Sequence, residues 1–354
     1  METINNYIKY FKDVPFSESP FNDVDNIIFS TLVYLDFKDV LKKPMTLKEL
    51  GKKYFNNIDY REIKKSAVII RRTVDNFELL FNGDRYKNII VSDYVKYVDA
   101  EKQFCAMKFK SDNFTYIAYE GTDDSMIGWR EDCQMIYKFP VPAQKCAIDY
   151  INKYVKLSDK KIIVGGHSKG GNLAMTASMY AKSYIKKRIV RVYNNDGPGF
   201  RLKEAESHEF KEMEKKLRMF VPEESMVGML LRNTKNYKVV KSSGKGLFQH
   251  NPNNWKCYGP IFLEGTLSDG SVDVHRKIIR WLNRHDDKKR EKMVESVFDM
   301  INNSDIKLFS ELRQLRLTRL IKLIKASKDV DKESKELVMS AIKVLLFKID
   351  DIDE

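Results

Sequence analysis

The apolar and polar positions near the start of the chain follow a helical pattern. Within residues 22–82, the segment "NIIFSTLVYLDF" is apolar on nearly every face, as expected of a helix that is buried all round. Further on, Thr46 and Glu49 in "PMTLKELGKKYF" have the spacing of a capping box at a helix start. We therefore predict helices throughout this region.

The pattern then changes to that of strands. The runs "KQFCAMKFK" and "FTYIAYEG" are rich in residues that favour strands, and the intervening "SDN" favours a tight turn. This arrangement predicts a β-hairpin.

Strand-like and helix-like segments alternate in the middle of the chain. The segments "KIIVGG", "RIVRVYNND", "LRMFVP" and "YKVVKS" have the composition of strands. Helical patterns run from Ser168 to about Tyr184 and from about Leu202 to Lys216. Such alternation predicts an α/β protein whose mostly parallel sheet carries helices on both faces.

The last part of the chain, from about Val272 onward, is helical again. Its apolar positions recur at helical spacing, as at Leu312, Leu315, Leu320 and Leu323. No internal repeat or low-complexity linker separates the parts of the chain. The expected organisation is a helical region that packs on the core, an α/β core and a second helical region, over residues 1–90, 91–271 and 272–354.

The amino-acid composition is that of an ordinary globular protein. The 354 residues are 43% hydrophobic and 12% aromatic, which is enough to bury a sizeable core. The start lacks the basic and apolar regions of a secretory signal, and no apolar run approaches the ~18 residues of a membrane span. We expect a cytoplasmic protein. The four cysteines have no disulfide or metal-site spacing, so reduced thiols and no metal or cofactor are expected: Cys105, Cys133, Cys146 and Cys257.

The net charge of +13 raises the question of an anionic partner. The lysines are interspersed with acids, and no nucleic-acid recognition motif is present, so we expect no nucleic-acid partner. The densest basic stretches, "RKIIRWLNRHDDKKREKM" and "RQLRLTRLIKLIK", have apolar positions at helical spacing. They are typical of the solvated faces of packed helices. Peripheral contact with an anionic membrane surface is the remaining expectation from charge, and nothing in the sequence indicates an oligomeric state.

The segment "GHSKG", Gly166 to Gly170, carries the first chemical signal. It has the pattern Gly-x-Ser-x-Gly, directly after a predicted strand and at the start of a predicted helix. This is the context of a nucleophile elbow, in which the glycines avoid collisions with nearby backbone and Ser168 is exposed above the strand ends. The first turn of the helix also offers an unpaired backbone N–H, that of Lys169, to an anion beside Ser168.

A nucleophilic serine requires a histidine base and an acid. His250 lies in the glycine-rich loop "SSGKGLFQHNPNNW" after the last strong strand, which fits the chain order serine, acid, histidine of this architecture. The other histidines lie inside the elbow or in predicted helices and fit packing or surface roles: His167, His208, His275 and His285.

The acid has more than one candidate. Asp196 ends the strand "RIVRVYNND", where it would stand at the carboxyl edge of the sheet, one strand from Ser168. A turn aspartate before Gly-Pro is the alternative interpretation. Glu223 and Glu224, in "VPEESMVG" after the next strand, are the competing acids.

A second oxyanion donor is expected from the loop after an earlier strand. Gly121 and Thr122 follow "FTYIAY", and the backbone N–H and hydroxyl of Thr122 could both face the anion. A polar turn would explain these residues alone, but Trp129 and Asp132 follow in the same segment.

Four segments together resemble known hydrolases. "YIAYEGTDDSMIGWREDC" is similar to the strand, oxyanion loop and W-x-x-D element of class 3 lipases, and "VGGHSKGGNLA" is similar to their nucleophile elbow. With "NNDGPGF" and "PEESMVGMLL", the chain resembles, from roughly Phe21 to Leu263, a bacterial family of lipase-like α/β-hydrolases labelled as a domain of unknown function. The resemblance implies an α/β-hydrolase fold with Ser168 as nucleophile, Thr122 as oxyanion residue and His250 as base.

The resemblance has two departures. Class 3 lipases usually have arginine where Glu120 stands, and Ser225 stands where their catalytic aspartate is expected. "NNDGPGF" is also similar to the strand end that carries the acid in pancreatic-type lipases, which favours Asp196.

The resulting hypothesis is a serine hydrolase of acyl esters, such as a lipid or lysophospholipid. Asp196 would orient His250, and three residues of "SMIGWREDC" would line an acyl pocket or form a lid: Met126, Ile127 and Trp129. The alternative is a scaffold with weak or no turnover that binds a protein or membrane partner. Thioesterase and peptidase activity would use the same machinery.

Overall fold

The computed structural model describes residues 2–99, 101–123, 125–302, 322, 324 and 332–336. Within these residues the strands, β1 to β11 in chain order, are Glu2–Thr3, Met45–Thr46, Ile90–Val98, Gln103–Lys110, Thr115–Tyr119, Ile162–His167, Ile189–Asn195, Leu217–Pro222, Tyr237–Val240, Lys256–Tyr258 and Ile261–Phe262. The α-helices, α1 to α13, are Ile4–Phe11, Asp23–Leu32, Leu47–Asn57, Tyr60–Lys65, Val68–Leu80, Met126–Gln134, Pro142–Tyr154, Lys169–Tyr180, Ser183–Lys186, Leu202–Ala205, His208–Glu214, Asp269–Arg284 and Asp287–Asn302. Two short 3₁₀ helices, Gly246–His250 and Pro252–Asn254, complete the described elements.

The central sheet has the order β2-β3-β4-β5-β6-β7-β8-β9 in the described part of the chain. Neighbours from β5 to β9 are parallel, and those from β2 to β5 are antiparallel. The predicted hairpin is confirmed as β4 and β5, in which Met107 lies opposite Ala118. The prediction of an α/β-hydrolase fold with a mostly parallel central sheet is therefore confirmed.

Helices cover both faces of this sheet. On one face, α2 and the N-terminal helices share a hydrophobic core with β3, β4 and β5. On the other face, α7 and α8 pack in a second core, where α8 is buried along nearly its whole length. The parallel strands consequently have apolar contacts on both sides, as expected of strands whose neighbours are joined by helical crossovers.

A buried ion pair joins α2 to the turn that follows α5. Arg85 donates to Asp25 at 2.5 Å, and neither side chain is exposed. Tyr7 and Tyr86 also donate to Asp25, at 3.1 and 2.8 Å. A buried carboxylate is tolerated when its oxygens accept several such bonds. The predicted capping box is also confirmed, since Glu49 accepts from the backbone N–H of Thr46 at 2.9 Å.

Two predicted helices end earlier than expected. The helix after Ser168 ends at Tyr180, and α9 follows as a separate turn. The helix expected from Leu202 to Lys216 is divided into α10 and α11, because Ser207 has an extended backbone and its hydroxyl caps α11 by accepting from the N–H of Phe210.

The C-terminal helical pattern is confirmed for α12 and α13. The helical interpretation of Leu312, Leu315, Leu320 and Leu323 lies outside the described residues. The division into regions 1–90, 91–271 and 272–354 stays a prediction. Among the described helices, none combines the length and the hydrophobicity that crossing a bilayer requires. The four cysteines carry free thiols.

Candidate active site

Ser168 stands on a sharp turn between β6 and α8. Its backbone φ of 57° and ψ of −132° lie outside the regions that residues other than glycine normally adopt. A Cβ on Gly166 would come 2.3 Å from the backbone of Gly170, and one on Gly170 would come 2.1 Å from the carbonyl oxygen of Tyr119. Because the two glycines have no Cβ, the backbone segments around the turn can approach each other this closely, as expected of a nucleophile elbow.

The turn places the amide of Lys169 in the first turn of α8, next to the serine. Amides of a first helical turn have no partner within their own helix, so this N–H can donate to an anion. The side chain of Lys169 is only 1% exposed and runs into the protein. Its backbone N–H and its side chain therefore contact different groups.

His250 and Asp196, which are far apart in sequence, meet at the carboxyl end of the parallel strands. His250 ends a 3₁₀ helix, and its Nδ1 lies 2.6 Å from Oδ2 of Asp196, which is fully buried. A carboxylate oxygen accepts this hydrogen bond, so Nδ1 is the donor. The imidazole tautomer with its proton on Nδ1 has Nε2 as its acceptor. This is the tautomer that a general base requires.

Asp196 is held in place by its second oxygen as well. Ser225 donates its hydroxyl to Oδ1, and the N–H of Gly228 donates to the same atom at 3.1 Å. Asp196 itself has a left-handed backbone, with φ at 53°, directly after β7. The lipase resemblance leads one to expect an aspartate where Ser225 stands. Ser225 instead donates a hydrogen bond to the acid that follows the neighbouring strand.

The competing acids have other contacts. Glu224 accepts from the N–H of Gly246 at 2.7 Å, and its own N–H donates to the side chain of Gln249 at 2.9 Å. The carbonyl of Glu223 accepts from the N–H of Ser268 at 2.8 Å. Glu224 therefore fastens the loop that carries His250, while Asp196 is the carboxylate that contacts the imidazole.

His167 supports the backbone of His250. Its Nε2 donates to the carbonyl oxygen of His250 at 2.8 Å, and its Nδ1 accepts from the hydroxyl of Tyr34 at 2.9 Å. Burial, assisted by the nearby His250, holds the pKa of His167 well below its ordinary value, so the ring is neutral. The packing role expected of His167 did not include this contact with the backbone of His250.

The N-terminal helix α2 also reaches the site, which sequence reasoning missed. Asn26 donates to Asn195 at 2.8 Å, and Ser30 accepts from Asn195 at 3.1 Å, beneath the elbow. Asn26, Ser30 and Tyr34 are spaced by four residues in a mostly apolar segment, so a polar stripe was the available signal.

The expected oxyanion loop follows β5 and lies against the serine. A Cβ on Gly121 would come 3.1 Å from Cβ of Ser168 and 2.0 Å from the Tyr34 hydroxyl, so only glycine allows this approach. Thr122 donates its hydroxyl to Asp132, whose pKa is raised to about 6 by burial. The W-x-x-D element thereby fixes the side chain of Thr122, while the backbone N–H of Thr122 remains the other candidate donor.

The three residues expected to form a pocket or lid lie on α6. Met126 is buried and Trp129 packs in a hydrophobic cluster that includes Trp281 and Leu282 of α12. Ile127 is half-buried. Their role beside a substrate stays a prediction. Within the described residues, no group of histidine, cysteine, aspartate and glutamate side chains is arranged to hold a metal ion.

Comparisons with known proteins give one family and several distant structures. The family model described as Mbeg1-like matches residues 80–299. No curated protein matches this sequence. A fungal lipase in complex with an inhibitor is 14% identical, with a TM-score of 0.34, over 62% of this chain and 78% of its own.

Two further lipases have a similar level of likeness. The Rhizomucor miehei lipase in its propeptide complex is 12% identical, with a TM-score of 0.36, over 61% of this chain and 67% of its own. A triacylglycerol lipase described as having a serine protease triad is 12% identical, with a TM-score of 0.37, over 62% and 78%. Likeness at this level assigns neither an activity nor a substrate.

Proposed function

The chain belongs to the Mbeg1-like family, and we propose that it is a serine hydrolase that cleaves carboxylic esters with Ser168, His250 and Asp196. The observation that carries the proposal is the 2.6 Å contact between His250 and a fully buried Asp196. Asp196 follows the strand that pairs with β6, and β6 leads directly into the strained backbone of Ser168. Structural ion pairs exist elsewhere in the chain, but this one leaves an imidazole nitrogen able to accept a proton.

The proposed reaction has two stages. Ser168 Oγ attacks the ester carbonyl while Nε2 of His250 takes its proton, and the N–H groups of Thr122 and Lys169 stabilise the tetrahedral anion. The C–O bond to the alcohol then breaks, and His250 returns the proton to the leaving oxygen. Water attacks the acyl-enzyme in the second stage, which releases the acid and restores the serine.

Ester hydrolysis is chosen from the activities that this machinery serves because of the resemblance to lipases. An acyl lipid or lysophospholipid is the proposed substrate class. The net charge of +13 adds a preference for anionic headgroups and peripheral contact with an anionic membrane surface.

Turnover of a p-nitrophenyl ester series of increasing chain length tests the proposal. We expect Ser168→Ala to reduce turnover by at least ~10³-fold. The control is Ser178→Ala, in the same helix, because the Ser178 hydroxyl donates within that helix, to the carbonyl of Ala174 at 2.7 Å. It should retain turnover. A wild type that hydrolyses thioesters or peptides but no oxygen ester would contradict the proposed substrate class, and equal turnover of wild type and Ser168→Ala would contradict the mechanism.

A further inference from the structure

A fully buried lysine side chain follows the candidate nucleophile. The ammonium of Lys169 lies 2.6 Å from the side-chain oxygen of Gln103, 3.0 Å from the Gln103 carbonyl oxygen and 3.1 Å from Oε2 of Glu131. The side chains of Lys169 and Glu131 are both 0% exposed. Burial of an ammonium is costly unless each of its three protons has an acceptor, and here three acceptors are present.

Gln103 connects this ammonium to the oxyanion loop. Its amide oxygen accepts from Lys169, while its amide nitrogen donates to the carbonyl oxygen of Gly121 at 3.2 Å and to Oε2 of Glu120 at 3.0 Å. Gln103 is the first residue of β4 and is 1% exposed. One buried amide thus joins the start of the nucleophile's helix to the loop that carries Thr122.

This side chain extends the contact between β4 and β5 beyond their paired register. The register runs to Ala106 opposite Tyr119, and the N–H of Glu120 adds a bond to the carbonyl of Cys105 at 2.9 Å. Gly121 comes next, and the Gln103 amide supplies its bond to β4. Regular strand pairing thus ends before Gly121. Beyond that point, the side chain of Gln103 holds the loop against β4.

Glu131 extends the same network to α6. Its Oε1 accepts from the N–H of Ala143 at 2.7 Å, and the neighbouring Asp132 accepts from Thr122. The ion pair with Lys169 therefore joins α8 to the helix that orients the Thr122 hydroxyl. The loop is held from two directions, by Gln103 and by α6.

We propose that Gln103 is a positioning residue for the oxyanion hole, because it links the side chain of Lys169 to the carbonyl of Gly121 and so sets the distance between the two N–H donors. The inference rests on the proposed function. Oxyanion donors act at 2.7–3.1 Å, and a displacement of about 1 Å can cost about 10²-fold in rate. The buried Lys169 side chain is then part of the same device through its contact with Gln103.

Two substitutions of Gln103 test this role in the full-length protein. Gln103→Met removes both hydrogen-bonding functions. Gln103→Glu keeps an acceptor for Lys169 but sets a second carboxylate oxygen against the carbonyl of Gly121. We expect both variants to lower kcat for p-nitrophenyl butyrate by about 10- to 100-fold with KM changed less than about 3-fold, because the lost interaction acts on the transition state.

Tyr150→Phe is the matched control for a lost buried hydrogen bond. Its hydroxyl donates to the carbonyl of Asp93 at 2.7 Å, and Tyr150 is 3% exposed. The control should lower the Tm without lowering kcat at a temperature where it is folded. If Gln103→Met does not fold, Gln103→Glu decides, since it keeps the partner of the buried ammonium.

The outcomes separate this inference from the proposed function. An active wild type with unchanged kcat in folded Gln103 variants would overturn the positioning role alone. A loss confined to KM, or a loss in Gln103→Met with normal kcat in Gln103→Glu, would also overturn it, because the link to Gly121 would then be dispensable. A folded wild type without turnover of any ester would instead contradict the proposed function.

Discussion

At the residue scale, the acid of the candidate triad stands at the end of β7, and the serine after β8 donates to it. Asp196 accepts from Ser225, Gly228 and His250 with no exposed surface of its own. Three donors satisfy its oxygens, which offsets the cost of burying a polar group. Asp196 is therefore suited to orient an imidazole and to stabilise its charged form.

Substitution should distinguish Asp196 from the competing acid Glu224 as the catalytic carboxylate. We expect Asp196→Asn to lower kcat by about 10³- to 10⁴-fold, because an amide can favour the wrong tautomer of His250. Glu224→Gln is the control, since it keeps an oxygen to accept from the N–H of Gly246 and should stay within about 3-fold of wild type. Steady-state ester kinetics measure both. The reverse ranking of the two variants would refute the assignment of Asp196.

Glu120 is a second residue whose environment sets its behaviour. It is 4% exposed, and burial raises its pKa from 4.5 to about 8, with Lys96 opposing the shift. The folded protein therefore keeps this proton at pH 7, whereas the unfolded chain loses it near pH 4.5. The stability associated with the protonated carboxyl is lost as pH rises from about 4.5 to about 8.

Glu120→Gln should remove this pH dependence. Glutamine is neutral in both states, so the Tm of the variant relative to wild type should rise between pH 4.5 and about 8 and then level off. Thermal unfolding from pH 4 to 9 measures the difference, which we expect to reach a few kcal/mol in the free energy of unfolding. A difference in Tm that is constant over this range would contradict the buried, protonated state.

At the element scale, the turn between β6 and α8 depends on how closely backbone segments approach each other. Gly170 lies in the first turn of α8, against the carbonyl of Tyr119. Gly270 lies at the same stage of α12 but is exposed, and the nearest atom to its added Cβ would be 3.9 Å away. A substitution at Gly270 therefore tests helix propensity alone, whereas one at Gly170 also tests the steric requirement for glycine.

Alanine at the two positions should have opposite effects. We expect Gly170→Ala to lower the free energy of unfolding by about 3–5 kcal/mol, because the added Cβ would come 2.1 Å from the Tyr119 oxygen. Gly270→Ala should be neutral or should stabilise the protein by up to about 1 kcal/mol through helix propensity. Denaturant unfolding measures both. Equal effects would show that the elbow relaxes around a larger residue.

Elements with local determinants were predictable from the sequence. The hairpin of β4 and β5 follows from strand composition and turn residues, and the elbow follows from the glycines around Ser168. The division of α10 from α11 was missed because Ser207 was read as a helix interior residue although serine favours helix starts. Local propensity alone did not decide between a long helix and two short ones.

At the scale of the whole molecule, the unpredicted contacts join residues that are distant in sequence. Tyr34 and His167 are separated by 133 positions and Lys169 and Gln103 by 66. No local pattern indicates that a lysine beside a candidate nucleophile turns inward to meet a glutamine at the start of β4. Asp196 and His250 could be proposed only because the order of elements along an α/β sheet predicts which loops meet.

The net charge of +13 also acts at this scale, because it is a property of the whole chain. We expect faster hydrolysis of an acyl ester in anionic vesicles than in zwitterionic vesicles at low salt, with the difference reduced at ~0.5 M salt by screening. Initial rates on the two vesicle compositions test this. Rates that are independent of headgroup charge at low salt would contradict the proposed attraction to anionic membranes.

Covalent labelling with a fluorophosphonate probe tests the central claim most directly. The probe reacts with a serine that a base activates, irrespective of the natural acyl group. We predict that folded wild type is labelled on the peptide that contains Ser168, and that Ser168→Ala and His250→Ala are not labelled at comparable rates. Labelling of a different residue, equal labelling of His250→Ala, or no labelling of folded wild type would contradict an activated Ser168.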